Sequence, residues 1–377
     1  MDVVDLTKKL IQHNSVSSES TASIAHTLEK VLRDLKMDVR LQEVDDGTGV
    51  TKHNVVARMG PSGEPGGLML AGHLDTVPFS ENDKATLRPR VERGKLFGRG
   101  ACDMKGGIAS AIVAASRFEH TPLRRPLWLV FTCNEETGMH GARALADLTD
   151  VRPSYAVVAE PTELHPVRAH KSYLGAQVTL RGTPCHSSDP RNGVNALKAA
   201  AKALVRLEEI EDELAKVVPQ ETAALFDPNY ATLNVGRIEA GTARNVVPGT
   251  ATFTLELRGL PGQDVDTMFA RVEAAIRDTA TRSRVKMSVE VNQKDEAMLT
   301  PADSLLVRYL ETIAAHPAEA VSFATEGHIY NAMGIETVIF GPGSIKRAHR
   351  ADEFVPTRDL HRATDILAAT IHRFCAA

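Results

Sequence analysis

The sequence predicts an α/β protein with a smaller α+β unit inserted into its α/β domain. Three observations lead there. Short apolar runs alternate with alanine-rich helical stretches between Val55 and Ala159. The order then changes to strand, helix, strand, strand, helix, strand from Gly175 to Val291, and the first pattern resumes near the end. Alternating strands and helices build a mostly parallel sheet, whereas the βαββαβ order is that of a ferredoxin-like unit.

Val3–Leu35 carries helix-like apolar spacing, broken by a serine-rich turn at Ser15–Ser20. Val55–Ala57, Leu68–Ala71, Leu127–Cys133 and Tyr155–Ala159 have strand length, and each leads into polar or glycine-rich sequence. Ile108–Phe118 and Gly141–Leu148 read as the helices between them. In the middle come strand Gly175–Arg181, helix Val194–Ile210, strands Ala231–Glu239 and Thr250–Leu257, helix Val265–Thr281 and strand Val285–Val291. Strand Thr337–Phe340 and helix Leu360–Phe374 close the chain. The expected division is residues 1–170 and 292–377 for the larger, discontinuous domain and 171–291 for the inserted one.

A chain of 377 residues suits two such domains. Hydrophobic residues make up 43% and charged residues 24%, with a formal net charge of −4 spread along the chain. That balance argues against a nucleic-acid partner, and the apolar runs are too short to span a membrane. The segment Met1–Val16 mixes acids and lysines where a signal peptide needs an apolar stretch, so a cytoplasmic location is expected. Cys102, Cys133, Cys185 and Cys375 contain no CxxC pair, which excludes a cysteine zinc knuckle; they read as small buried hydrophobes.

Acids and histidines recur just after the strands of the larger domain. GHLDT holds His73 and Asp75, GRGACDMKGG holds Asp103, NEETG holds Glu135 and Glu136, AEPT holds Glu160, and GPGSIKRAHR holds His349. Ligands of open α/β sheets bind outside the carboxyl ends of the strands, so these groups can share one crevice. Imidazoles and carboxylates in these numbers suit a pair of zinc ions with coordination positions left for water. A shared carboxylate would set the ions about 3.5–4 Å apart. Neighbours in an extended segment point opposite ways, so of Glu135 and Glu136 one can ligate while the other takes a proton from water. Asp75, two residues after His73, is placed to orient that imidazole. Singly, each has a plain alternative: a surface HxD, a solvated glutamate pair, an exposed loop histidine, an aspartate capping a helix. Their recurrence at successive strand ends is what points to one site. Gly98, Gly100, Gly106 and Gly107 miss the dinucleotide spacing and read as turn residues leading into a helix.

The segments GHLDTVP, GRGACDMKGG, NEETG, AEPT and GPGSIKRAHRADEF, in this order, resemble the metallopeptidase M20 family. The resemblance extends through EPTELHPVRAHK, CHSSDPRNGVNA, LNVGRIEAGTARNVVP, ELRGLPG and ATEG, covering almost the whole chain. It implies a zinc-dependent, exopeptidase-like α/β catalytic domain with an inserted ferredoxin-like dimerisation domain. It also implies two zinc ions, with cobalt as an alternative. Asp103 would bridge them, His73 and Glu160 would complete one site, and Glu136 and His349 the other. Glu135 would be the general acid and base, with Asp75 supporting His73. His186 would reach the active site of the second subunit in a homodimer and steady the oxyanion there. Asn245 and Arg258 would contact substrate, and Gly343 and Ser344 would add backbone donors. The implied activity is removal of an N-acyl group, acetyl above all, from an amino acid such as ornithine, a step of arginine biosynthesis. Succinyl-diaminopimelate, acetylcitrulline, general acylamino acids and dipeptides are alternative substrates for the same metal set.

The chain departs from the family pattern at Asn134, where many relatives have Asp, and at Ala159, Ser172 and Cys185, where Gly is common; Glu256 stands where Asp is frequent. None of these removes a ligand or the base. Without the resemblance, His186 reads as a surface histidine, Arg258 as a solvated strand end and Asn245 as a turn residue. Two alternatives remain: a non-catalytic binding protein on the same fold, against which retention of Glu135 with all five ligands argues, and a two-domain metabolic enzyme without metal in which the motif order is accidental.

Overall fold

Leu68–His73 and Leu127–Thr132 are apolar almost without interruption, and both are buried along their whole length. A strand with no polar face needs cover on both sides, which is the situation of a central parallel strand. The computed structural model describes residues 1–80 and 86–376, and it places these two strands side by side and parallel. Tyr155–Val158 runs parallel to Leu68–His73 on its other side, and Glu336–Ile339 adds a fourth parallel strand beyond it. Antiparallel neighbours continue the sheet at both ends: Lys52–Met59 and then Asp38–Val44 beyond Leu127–Thr132, and Val167 against Ile339.

The register decides where the strands end. His73 lies opposite Thr132, Ala71 opposite Val158, and Val158 opposite Ile339. The carboxyl ends of the parallel strands are therefore level, and the loops that leave them start from one edge. Helix Lys105–Ser116 is buried on nearly every side, from Lys105 through Ala115. Helices Val3–Ile11, Ala22–Asp34, Leu305–Ala314 and Thr357–Ile371 cover the sheet with amphipathic faces. Asp2 and Ser304 cap two of them, each accepting a backbone N–H at the first turn.

The chain divides into two compact units. The first comprises Met1–Arg168, Thr300–Glu319 and Thr325–Ala377, and the second Ala169–Leu299 with Ala320–Ala324. The second unit has a four-stranded antiparallel sheet in the order Thr232–Ala240, Thr250–Arg258, Tyr173–Arg181, Lys286–Asp295. Helices Ala196–Ala215 and Val265–Arg282 bury apolar stripes against it in a core of their own. Strand Thr250–Arg258 alternates strictly, with Ala251, Phe253, Leu255 and Leu257 inward. This is the expected ferredoxin-like pattern.

Several bounds differ from the sequence reading, among them the second unit, expected over 171–291 and found over Ala169–Leu299 with Ala320–Ala324, and two differences have a plain physical cause. The helix predicted from Val194 begins at Ala196, because the side chain of Asn195 accepts the N–H of Lys198 and caps it. The glycines of GRGACDMKGG divide in function. Gly98 and Gly100 have φ of +152° and +76° and do form a turn. Gly106 and Gly107 lie inside the helix and are needed for close approach: a Cβ on Gly107 would stand 2.1 Å from the carbonyl oxygen of Ala159. No helix among the described residues is long and apolar enough to cross a membrane.

Gly107→Ala should therefore destabilise the protein by about 1–3 kcal/mol despite alanine's better helix propensity. The measurement is a lower urea midpoint at unchanged slope.

Candidate metal centre

His73 ends its strand fully buried. Its Nδ1 lies 2.9 Å from the main-chain carbonyl of Asp75, which turns Nε2 towards Asp103 Oδ1 at 3.0 Å and Glu160 Oε1 at 3.6 Å. The other oxygen of Asp103 is 3.2 Å from His349 Nε2, and that nitrogen is 3.1 Å from Glu136 Oε1. A chain of contacts thus runs from Glu160 through His73, Asp103 and His349 to Glu136, with Asp103 in the middle facing both histidines. Donor atoms of His73, Asp103 and Glu136 all lie within 4.8 Å of one another. His349 adopts φ +62°, a left-handed conformation uncommon outside glycine, at the point where its ring meets the two carboxylates.

Asp75 works through two parts of itself. Its main-chain carbonyl meets the His73 ring, while its carboxylate is 3.7 Å from Nδ1 and faces elsewhere. That carboxylate, wholly buried, accepts the hydroxyl of Ser17 at 2.7 Å and the backbone N–H groups of Glu135 at 3.0 Å and Glu136 at 3.3 Å. Asn134 starts this turn at φ +57°, where asparagine is tolerated better than most residues. Its amide donates to Asp46 Oδ2, so an aspartate here would set two carboxylates against each other. This accounts physically for the departure at 134.

Burial raises the carboxyl groups of Glu135, Glu136 and Glu160 above their ordinary range. Glu160 is raised further by Asp103, and Glu135 by Glu160 and Glu136. Asp103 behaves oppositely: burial works against its charge, but hydrogen bonds from His349 and His73 hold it well below the usual carboxylate range. Its hydrogen bonds to Asp103 and Glu136 raise His349 to about 10. Burial opposes the charged form of His73, yet Asp103, Glu160 and Glu135 raise it well above its usual value. Buried acids that push one another up, around two imidazoles, form a cluster short of positive charge. Nitrogen and carboxylate donors of this kind suit borderline divalent ions, so the residues fit a metal pair.

Several contributors escaped the sequence reading. Glu353, 2% exposed, accepts the backbone N–H groups of Gly100 at 3.0 Å, Cys102 at 2.9 Å and Asp103 at 3.1 Å, and pairs with Arg99 at 2.9 Å. It holds the loop that presents Asp103. Its support is a small sheet of Arg90–Glu92, Lys95–Phe97 and Phe354–Pro356, strands too short to leave a periodic signal. Glu326 is buried next to the cluster and accepts the hydroxyls of Thr132 at 2.6 Å and Tyr330 at 3.0 Å. A lone glutamate in ATEG carries no sequence signal for such a place.

The expected substrate residues divide between the units. Gly343, at φ +87°, packs against Cys102, and the Ser344 hydroxyl is held by Glu163 at 2.8 Å; both lie in the first unit. His186, Asn245 and Arg258 lie in the second. His186 is exposed and bridges Val246 main chain to main chain, while the Ser187 N–H donates to the Asn245 carbonyl, so these two sit together. Arg258 is held by Glu256 at 2.6 Å and the Ser322 carbonyl at 3.0 Å, and its guanidinium stacks over Tyr173.

The family model for peptidase family M20/M25/M40 matches residues 69–373. An acetylornithine deacetylase from Myxococcus xanthus is 39% identical over 337 residues, covering 89% of this chain and 87% of that protein. An acetylornithine deacetylase from Klebsiella pneumoniae strain 342 is 33% identical, covering 99% of this chain and 97% of the relative. Among solved structures, a tripeptidase from Staphylococcus aureus superposes with a TM-score of 0.82 at 23% identity, covering 98% of this chain and 96% of that one. A metallo-carboxypeptidase of the M20 family from Sulfolobus solfataricus gives 0.81 at 16% identity, covering 98% and 99%. These structural likenesses bear on the fold alone.

Burial holds Glu326 at about 7, above the ordinary 4.5. The folded metal-free protein thus keeps a proton that the unfolded chain releases, so this group's contribution to stability is present below pH 4.5 and is lost as pH rises through about 7. Glu326→Gln removes that dependence. Relative to the unsubstituted protein, its unfolding free energy should gain about 2–3 kcal/mol between pH 4.5 and 8, read from urea melts of metal-free protein.

Proposed function

We propose that this chain, which belongs to peptidase family M20/M25/M40, removes the acetyl group from the α-nitrogen of N-acetylornithine. Family membership makes it a metal-dependent amidohydrolase. The observation that carries the finer reading is the convergence of His73, Asp103, Glu136, Glu160 and His349 beside Glu135, in a chain alike over nearly its full length to two proteins named for that substrate.

Asp103 would lie between two zinc ions, with cobalt as the alternative, His73 and Glu160 on one side and Glu136 and His349 on the other. Bound there, the ions would lower the pKa of water towards neutrality and polarise the acyl carbonyl. Glu135 takes a proton from water as its oxygen bonds to the carbonyl carbon. It then passes that proton to the amine as the carbon–nitrogen bond breaks, leaving acetate and ornithine. Asp75 keeps Glu135 and Glu136 in register by holding both of their backbone N–H groups.

His186 supplies the oxyanion donor from a second subunit of a cytoplasmic homodimer. Its Nδ1 lies 2.7 Å from the Ser188 hydroxyl and 3.2 Å from the Ser188 N–H; with these groups donating, the ring proton sits on Nε2 and can be donated to an oxyanion. Arg258 would bind the substrate's α-carboxylate, Asn245, beside His186, would contact substrate, and the Gly343–Ser344 backbone would offer donors.

The test is hydrolysis of acetylornithine, acetylcitrulline, acetylmethionine, succinyl-diaminopimelate and a dipeptide by zinc-loaded protein. Preference for acetylornithine supports the proposal, and preference for another member reassigns the substrate. Glu135→Gln should lower kcat about 10²–10⁴-fold with bound metal unchanged. His186→Ala should cost about 10²–10³-fold in kcat. Co-expressing these two inactive variants should restore turnover through mixed dimers; no restoration would place His186 outside the partner's site.

A further inference from the structure

A second cluster of metal-binding side chains lies outside the residues used above. His165, His316 and Glu319 bring three donor atoms within 4.8 Å of one another, all in the first unit. His165 Nδ1 is 3.4 Å from Glu319 Oε1, and His316 Nε2 is 3.6 Å from the same oxygen. The two imidazoles stack with centroids 3.5 Å apart and planes 7° from parallel. We propose that these three residues form a separate site for a divalent transition-metal ion.

Three features support it. Donors bound to one tetrahedral ion at about 2.0–2.1 Å stand about 3.3 Å apart, and both nitrogen-to-carboxylate distances are already close to that. The Nδ1 of His316 lies 2.9 Å from the carbonyl of Pro317. A carbonyl can only accept, so Nδ1 is the donor there and Nε2 is the nitrogen that would ligate, as in metal-ligating histidines. The backbone is held on both sides: the Glu319 N–H donates to Pro166 at 2.8 Å, and the His165 N–H to Thr162 at 3.0 Å.

Two imidazoles and one carboxylate select zinc, copper, nickel or cobalt over magnesium and calcium. The stack also makes a structural demand. An ion midway between parallel rings would lie far out of both ring planes, so binding must swing one ring open. Both side chains are about one-third exposed and free enough to do so. His165 lies just before the chain enters the second unit at Ala169, and Glu319 is the last residue before it enters again at Ala320. An ion here would join the two stretches of chain that lead into that unit.

The experiment is a calorimetric titration with Zn2+, and in parallel with Mg2+, of protein whose primary centre has been filled with zinc and freed of excess. One further equivalent of Zn2+ and none of Mg2+ is expected. His165→Gln and His316→Gln should each weaken that equivalent at least about 10-fold, and Glu319→Gln should also weaken it, with far-UV circular dichroism unchanged in all three. Zinc should shift the ring resonances of both histidines away from their stacked values. A further equivalent that is absent, or that persists undiminished in all three variants, overturns the proposal. The comparison between native and substituted protein reads this site alone, whatever the primary centre holds and whichever substrate the enzyme takes.

Discussion

The carboxylate of Asp75 is the group on which the site depends. It is buried without exposure and needs partners, and it finds them in the Ser17 hydroxyl and the backbone N–H groups of Glu135 and Glu136. Desolvating an unpaired carboxylate is costly, so the three segments cannot drift apart without exposing that cost. The interaction reaches further than one loop. The Ser15–Ser17 segment is tied to Leu74–Thr76 by the Ser15 hydroxyl on the Leu74 carbonyl and by main-chain bonds in both directions with Thr76. A serine-rich stretch that reads as a turn thereby becomes a buried support for Asp75.

Glu353 plays the matching part on the other side. Its oxygens accept three N–H groups of the Gly100–Asp103 loop and the guanidinium of Arg99, and a small sheet seats it. Asp75 and Glu353 therefore contrast with Glu135, Glu136 and Glu160. The first two are satisfied by donors of the chain itself and hold geometry. Burial raises Glu353 as it raises Glu135, Glu136 and Glu160, but the backbone N–H groups on Glu353 oppose that shift, whereas the other three are left to take a proton or a cation. The division between scaffold acids and working acids is one of hydrogen-bond partners. It follows from which carboxylates have backbone N–H groups to accept.

Level strand ends are the geometric condition for this. The parallel register sets His73, the turn after Thr132, the Glu160 loop and the Phe340–Ser344 loop along one edge. Gly107 allows the central helix to approach Ala159, next to Glu160, more closely than any other residue would permit. Packing and chemistry are joined at that contact.

Much of this was legible in the chain itself. Unbroken apolar runs ending in acids and histidines determined a parallel sheet with its chemistry at the carboxyl edge, because a strand buried on both faces can turn polar only where it leaves the core. The split βαββαβ order likewise determined the second unit's sheet. What only the tertiary structure decided were the relations between segments far apart in sequence. The carboxylate of Asp75, 3.7 Å from the His73 ring, also accepts the Glu135 and Glu136 backbone N–H groups, Glu353 holds the loop that carries Asp103, and Glu326 meets Thr132 across the fold. A single carboxylate has no periodicity and no motif; its role is set by which donors the folded chain brings within 3 Å or so of it. The same holds for His165 and His316, two unremarkable loop histidines in sequence that folding stacks face to face.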